Sequence, residues 1–350
     1  MPSPDKSSDQ VIAFFDKLPV EIPQIDLENI EMVSNIQSGS YGVTYMSRDK
    51  TKVTKVIQLS RQLKDVNKLL SNLENEIINY HAISTLCPQY FCKFIGYHFN
   101  QSTFELYIVM EYCGIDLFEY YNRIETKFIT LYSHIASNRD KTDQMEFELL
   151  TVKKIICYKI MKALRCLHKE GFVHLDLKPE NMVVTNSPNE KYIIKFIDAG
   201  TLTKINKSDD RKTQIYVHGT PEYMAPEIRG ESEFIDNSRA LKKLDIYAFG
   251  KLCKKILSKK EIWCIFAGSN IVNEMCDPDP KKRPNVDRIL FYLNPSNLFE
   301  NPALYLPEYV VYKKKKTSKS KSKSKSKSKS KSKSSSKTKS KSSSKSLKKQ

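Results

Sequence analysis

The sequence predicts an α+β protein of two unequal lobes, a small β-rich N-lobe and a larger, compact helical C-lobe. Three observations carry this expectation. Strand-like runs dominate residues 30 to 57 and 104 to 112, helical periodicity prevails later in the chain, and 350 residues suffice for two lobes with ample core. The expected division is an N-terminal extension (1–29), a folded unit (30–293, with lobes 30–112 and 113–293), a C-terminal extension (294–312) and a basic tail (313–350).

Each element has its own signal. "IEMVSNIQSGSYGVTYMSRDKTKVTKVI" (30–57) holds three short strands, punctuated by a Ser/Gly turn and by "RDK". Residues 65–84 read as one helix, with Leu69, Leu73 and Tyr80 at i, i+4 and i+11. Glu76, at i+7, falls on the same apolar stripe. An unpaired buried carboxylate is very costly, so it needs a cationic partner. "FELYIVMEY" (104–112) is a strand and "DLFEYYNRI" starts a helix, while 126–146 reads as an inserted polar segment. Ile156, Ile160, Ala163, Leu164 and Leu167 then keep the helical period up to "HKEGF". Short strands and turns follow to about residue 200, and helices with loops to 293.

Composition narrows the class. Hydrophobic residues make up 40% of the chain, and no apolar run approaches the ~18 residues of a membrane span. The start, "MPSPDKSSDQ", lacks the charged-then-apolar pattern of a signal peptide, which predicts an intracellular protein. Eight cysteines (Cys87, Cys92, Cys113, Cys157, Cys166, Cys253, Cys264, Cys276) include no C-x-x-C pair, which predicts reduced thiols rather than zinc or a disulfide framework. Of the 58 Lys and Arg, eighteen are lysines in 313–350, which leaves 40 against 40 acidic residues in 1–312. All the basicity is in the tail.

That tail, "KKKKTSKSKSKSKSKSKSKSK…", has no apolar residue except Leu347 and predicts disorder. It suits nucleic acid or another polyanion, bound without sequence preference. "KKKK" could equally serve as a nuclear import signal, and the whole could be a mere solubilising repeat. Phosphorylated serines would invert its charge.

"KFIDAGT" (195–201) runs a short apolar strand into one carboxylate and a glycine. Alone, Asp198 is either a turn former or a metal ligand. "HLDLKPENMVV" (174–184) decides the context, because it resembles the catalytic loop, H-R-D-L-K-x-x-N, of the eukaryotic-type serine/threonine protein kinase family. Six further motifs of that family occur in order over 30–293. The resemblance implies a two-lobed protein kinase-like fold that uses ATP with Mg²⁺, or Mn²⁺ in its place, on Ser/Thr hydroxyls of protein substrates. Phosphoryl transfer needs charge neutralised on the phosphates and the acceptor hydroxyl aligned.

The resemblance also assigns residues. "QSGSYGVT" (37–44) is similar to the glycine-rich loop, so Gln37, Ser38, Gly39, Ser40, Tyr41, Gly42 and Thr44 would lie over the nucleotide. "KVTKVI" (52–57) resembles the strand carrying the phosphate-binding lysine. Lys55 matches that lysine, with Lys52 its rival, and Val53 shares its strand face. Glu76 matches the helix glutamate that pairs with it. "IVMEYCGIDL" (108–117) resembles the connector between lobes: Met110 behind adenine, the Glu111 and Cys113 backbones bonded to it, and Asp116 on ribose. Asp176 would orient the hydroxyl and accept its proton, and Lys178 would stabilise the γ-phosphate. Asn181 and Asp198 would ligate the metal. His174, Thr220 in "GTPEYMAPE", Asp245 in "LDIYAFG" and the Arg283–Glu227 pair would be structural.

The sequence departs from the family at several places. Gln37 replaces the first loop glycine and Thr44 a valine. Leu175 replaces the arginine that receives an activation-loop phosphate, which predicts little dependence on phosphorylation at Ser208, Thr213 or Tyr216. Ala199 replaces a phenylalanine packed between the lobes, and Tyr80 and Phe94 are the bulky residues expected to fill its space. The stretch from Gly250 to "DPDP" is short, so a substrate-docking helix would be reduced. Two alternatives stand beside an active kinase: a pseudokinase scaffold, and a nucleic-acid-associated protein whose tail is the working part. The compact C-lobe and Lys/Asn/Ile-rich composition are similar to kinases of large DNA viruses, and the expected location is cytoplasmic, nuclear or virion-associated.

Overall fold

The computed structural model describes residues 6–39, 42–59, 66–135, 139–187, 189–205, 213–216, 219–229, 232–235 and 238–294. The expectations for Ser40, Tyr41, Ser208, the extension beyond Asn294 and the basic tail lie outside these residues.

Helix α1 (Lys6–Asp16) forms where no element was predicted. The extension then runs along the edge of a five-stranded antiparallel sheet, β1 (Ser34–Gly39), β2 (Gly42–Met46), β3 (Lys52–Gln58), β4 (Phe94–Asn100) and β5 (Glu105–Glu111), in the order β1-β2-β3-β5-β4. Phe15 stacks on Phe99 with ring centres 4.0 Å apart. The Ile25 N–H donates to the Tyr97 carbonyl at 2.8 Å, and the Tyr97 N–H donates to that of Pro23 at 3.0 Å. An otherwise open strand edge is thereby covered.

The expected helix over 65–84 is present with a change of pitch. Helix α2 (Val66–Leu73) passes into a π-helical stretch (Glu74–Asn79) and then α3 (Tyr80–Leu86). The Tyr80 N–H bonds the Asn75 carbonyl, the i→i+5 pattern of a π turn. Side-chain periodicity alone does not signal such a turn.

Beyond the sheet the chain is mainly helical. Strand β6 (Ile115–Asp116) leads into α4 (Leu117–Ile135), followed by α5 (Arg139–Lys169). The polar segment over 126–146 is helical up to Ile135 and again from Arg139. Its Glu, Lys, Met and Leu residues are good helix formers, and they lengthen both helices past the core. Strands β7 (Phe172–Val173), β8 (Met182–Thr185), β9 (Ile193–Phe196) and β10 (Thr203–Lys204) make two small antiparallel sheets, β6-β8-β9 and β10-β7. A further antiparallel pair, β11 (Thr213–Tyr216) with β12 (Ser232–Ile235), lies where only helices and loops were expected.

Helix α6 (Ser238–Ile256) runs through the interior, with Phe249, Leu252 and Cys253 fully buried. The short α7 (Lys259–Ile265), opened by a Ser258–Glu261 capping box, and α8 (Ile271–Met275) fill the stretch before "DPDP". Helix α9 (Val286–Leu293) packs along α5. One apolar core joins the lobes, with Ile77, Tyr80 and Phe91 from the first and Leu164, Phe196 and Leu252 from the second. The main chain joins them as well: Phe196 N–H donates to the Tyr90 carbonyl at 2.9 Å, and Cys92 N–H to the Phe196 carbonyl at 3.3 Å.

The cysteine expectation needs correcting. Cys87 pairs with Cys166 and Cys92 with Cys113 as disulfides, while Cys157, Cys253, Cys264 and Cys276 are free. The partners are 79 and 21 residues apart in sequence, so no spacing motif marks them. Folding brings their Cα atoms to 6.3 and 6.1 Å, within the reach of a bridge.

Candidate active site

The site lies between the five-stranded sheet and the helical lobe. Strands β1 and β2 form a hairpin whose last described pair is Gly39–Gly42. Gly42 has φ +133°, and a Cβ there would come within 2.3 Å of the Val56 carbonyl oxygen, so only glycine fits. Gln37 and Ser38 pair in this hairpin with Thr44 and Val43, and Thr44 in turn faces Lys55. Val53 faces Met110 across β3 and β5. Both are buried, and the Tyr80 hydroxyl lies 3.7 Å from the Met110 sulfur.

Strand β3 presents Lys55 to the helix. Its ammonium bonds Glu76 Oε1 and lies 3.3 Å from Asp198 Oδ1. Glu76 thus has the cation that its place on an apolar stripe demanded. Burial alone would pull the Lys55 ammonium down, but Asp198 and Glu76 hold it well above the usual lysine range. For Glu76, burial pushes the carboxyl up, and nearby Asp198 adds to that rise against the pull of Lys55. Burial also pushes Asp198 up, yet Lys55 and the Gly200 N–H, 3.1 Å from Oδ1, hold it below the ordinary carboxylate value.

Glu111 ends β5, Cys113 lies between β5 and β6, and Asp116 ends β6. Glu111 N–H is taken by the Lys93 carbonyl at 2.9 Å, and its carboxylate meets Lys195 at 3.2 Å. Cys113 commits its sulfur to Cys92, leaving only its backbone for a ligand. Asp116 Oδ1 accepts the Glu119 N–H at 2.8 Å at the start of α4.

The charged and polar residues of the 174–184 loop converge. Asp176 Oδ2 lies 2.8 Å from Lys178 Nζ and 2.9 Å from Asn181 Nδ2, and Asp176 Oδ1 accepts the Thr220 N–H at 2.9 Å. Lys178 also donates to Thr220 Oγ1 at 2.9 Å. Beneath the loop, Asp245 is fully buried. Its Oδ1 accepts the Leu175 N–H at 2.9 Å, and its Oδ2 accepts the His174 N–H at 3.0 Å. His174 packs against Phe196 with ring centres 4.8 Å apart, and burial lowers its pKa.

Asn181 spends both N–H bonds on Asp176, one on its carboxylate and one on its carbonyl at 2.9 Å. Its side-chain carbonyl oxygen is what remains for a ligand. The Ile197 N–H donates to the Asn181 backbone carbonyl at 3.2 Å, bringing the chain that bears Asp198 alongside. A carboxylate and an amide oxygen fit a hard divalent cation. Among the described residues, no group of three or more His, Cys, Asp and Glu gathers to hold a metal. Such a cation would therefore take its other oxygens from phosphates and water.

Ala199 is 1% exposed, in the same apolar core as Tyr80 and Phe94, whose rings meet edge to face at 5.9 Å. Three contributors were missed in the sequence. His168 Nε2 lies 2.8 Å from Asp245 Oδ2, and its signal was a polar residue next to Leu167 on a buried helix. Asn75 and Asn79 flank Glu76 and reach the chain after Asp198. Asn75 Nδ2 lies 3.4 Å from the Gly200 carbonyl, and Asn79 Nδ2 lies 3.0 Å from that of Leu202. Two asparagines within one helical turn of an acid on an apolar stripe were the available sign.

A family model described as a protein kinase domain matches residues 30–283. Among curated proteins the chain is similar to the maternal embryonic leucine zipper kinase of Danio rerio, 26% identical over 291 residues, which are 78% of this chain and 38% of that protein. It is similar to cyclin-dependent kinase E-1 of Arabidopsis thaliana, 25% identical over 79% of this chain and 53% of that one. A third, the probable serine/threonine-protein kinase fnkE of Dictyostelium discoideum, is 27% identical over 64% of this chain and 15% of its own length. The chain thus spans roughly half or less of the length of these relatives. They come from a fish, a plant and a slime mould, and the likeness to viral kinases gains no support from them.

Proposed function

The chain belongs to the protein kinase domain family, and from that premise we propose that it is an active ATP-dependent protein kinase that phosphorylates serine and threonine hydroxyls of proteins. The observation that carries this reading is the convergence on Asp176. Lys178, Asn181 and the Thr220 N–H fix that carboxylate from three sides. An acid held so firmly can orient one hydroxyl and take its proton.

The other residues fall into roles around it. Lys55, oriented by Glu76, grips the nucleotide phosphates, and Lys178 stabilises the γ-phosphoryl as it moves. The 37–44 hairpin covers the phosphates with main-chain N–H groups, and Val53 and Met110 line the adenine site. Glu111 and Cys113 offer backbone to adenine, and Asp116 meets the ribose. Asn181 and Asp198 hold the Mg²⁺, or Mn²⁺ in its place, which when bound neutralises charge on the phosphates. Asp116 also caps α4, so its bond to ribose competes with a helix N-terminus.

A pseudokinase scaffold is the second reading, favoured by Leu175 and Ala199 standing at two conserved-role positions of the resemblance. Against it, Lys55, Asp176, Asn181 and Asp198 are all present. Incubation of the full chain with γ-labelled ATP and a generic basic protein tests the choice. Label on serine or threonine that vanishes with EDTA and with Asp198→Asn supports the kinase. ATP binding without transfer in any condition supports the scaffold.

No helix among the described residues is long and apolar enough to cross a membrane. As a separate proposal from the sequence, the protein works in the cytoplasm or nucleus, and the lysines of 313–350 bind nucleic acid or another polyanion. DNA affinity that falls steeply with salt, and disappears when 313–350 are removed, tests that part.

A further inference from the structure

We propose that Asn79, aided by Asn75, is a positioning residue that holds the loop after Asp198 in its metal-ready shape. The inference rests on the reading of Asp198 as a metal ligand.

The loop is tightly turned. The Gly200 N–H returns to Asp198 Oδ1 at 3.1 Å, and the Leu202 N–H returns to the Ala199 carbonyl at 2.9 Å. Two carbonyls of this turn, those of Gly200 and Leu202, face the helix. A carbonyl only accepts, so the partner must donate. Asn79 divides its two N–H bonds between the Leu202 carbonyl at 3.0 Å and Asn75 Oδ1 at 2.9 Å. Asn75, its carbonyl taken, turns its own amide nitrogen to Gly200 at 3.4 Å. Asn79 is 5% exposed, so water is a poor substitute partner.

The geometry closes a ring. Lys55 joins Glu76 on the helix to Asp198 on the loop, and the asparagine pair joins the same helix to the same loop from the other side. Ala199 gives the helix no large side chain to pack upon, so the grip is made through the backbone. Gly200 also sits close under the helix, where a Cβ would come within 2.9 Å of Glu76 Oε1. Contacts on both sides thus tie the helix and Lys55 to the loop.

Asn79→Asp keeps the shape but sets an acceptor against a carbonyl, and Asn75→Ala, at a half-buried position, is the gentler variant. Calorimetric titration of the full chain with ATP, once in EDTA and once in Mg²⁺, gives the affinity gain due to the metal. We expect Asn79→Asp to cut that gain by about tenfold and Asn75→Ala by about threefold, with metal-free ATP affinity held within about twofold. In the metal-free protein, amides 200–203 should exchange hydrogen faster in both variants. An unchanged metal gain and unchanged exchange overturn the proposal. So does a parallel loss of both affinities with a lowered Tm, which marks a merely structural role. A wild-type protein with no metal-dependent gain contradicts instead the kinase reading beneath it.

Discussion

Leu175 holds φ +64° while donating its N–H to Asp245 Oδ1 at 2.9 Å. A left-handed backbone at a leucine costs about 1–2 kcal/mol, and the buried carboxylate offsets that by taking two successive N–H groups. Burial would raise the Asp245 carboxyl, but His168 and the His174 side chain and N–H hold it below the ordinary value of 3.8. The unfolded chain therefore binds its proton first as pH falls. This contribution to stability is fully present above about pH 4 to 5 and shrinks as pH drops toward the folded value. Asp245→Asn should cost about 2–4 kcal/mol at pH 7. Urea unfolding of both proteins from pH 7 to pH 3 checks the sign, since the gap between them should narrow only below about pH 4.

The Arg283 guanidinium is 0% exposed and forks onto Glu227 at 2.5 and 2.7 Å, with further bonds to the carbonyls of Asp277 and Lys243. Removing one partner leaves a buried charge. Glu227→Ala should destabilise by about 3 kcal/mol, at the low end for such pairs because a quarter of the Glu227 side chain sees solvent. Arg283→Lys should cost nearly as much, because an ammonium cannot reproduce the fork. Thermal unfolding of each variant measures this.

Leu175 sits in an apolar cluster with Val173, Ile205, Met224, Ala225 and Leu244, which ties the loop around 175 to the chain around 224–228. A phosphate would find no guanidinium at that position. Changing Ser208, Thr213 and Tyr216 together to Ala, Val and Phe should leave the transfer rate within about tenfold of wild type. Steady-state assays on the triple variant test this, and a larger loss would return control to a phosphorylated loop.

How much of this was legible in the sequence depended on the kind of signal. Glu76 was legible as an acid on an apolar helical stripe that needed a cation, and the resemblance named Lys55 over Lys52 as that cation. Asp176, Asn181 and Asp198 were found through ordered motifs, which carry chemistry at fixed spacing. The α1 helix packing on β4 was not legible, because Phe15 meets Phe99 only after the chain has folded back. The disulfides were hidden for the same reason: Cys87 and Cys166 share no spacing. Asn79 escaped notice because hydrophobic periodicity marks apolar residues, and a buried amide serving another segment's backbone leaves no such mark.

The central claim is that Asp176 acts in chemistry and not in holding nucleotide. Asp176→Asn keeps the shape and removes the acid, so turnover of γ-labelled ATP onto protein and the dissociation constant for ATP should separate. We predict a fall in kcat of at least about a thousandfold with ATP affinity within about threefold of wild type. A variant that retains wild-type kcat would contradict the account.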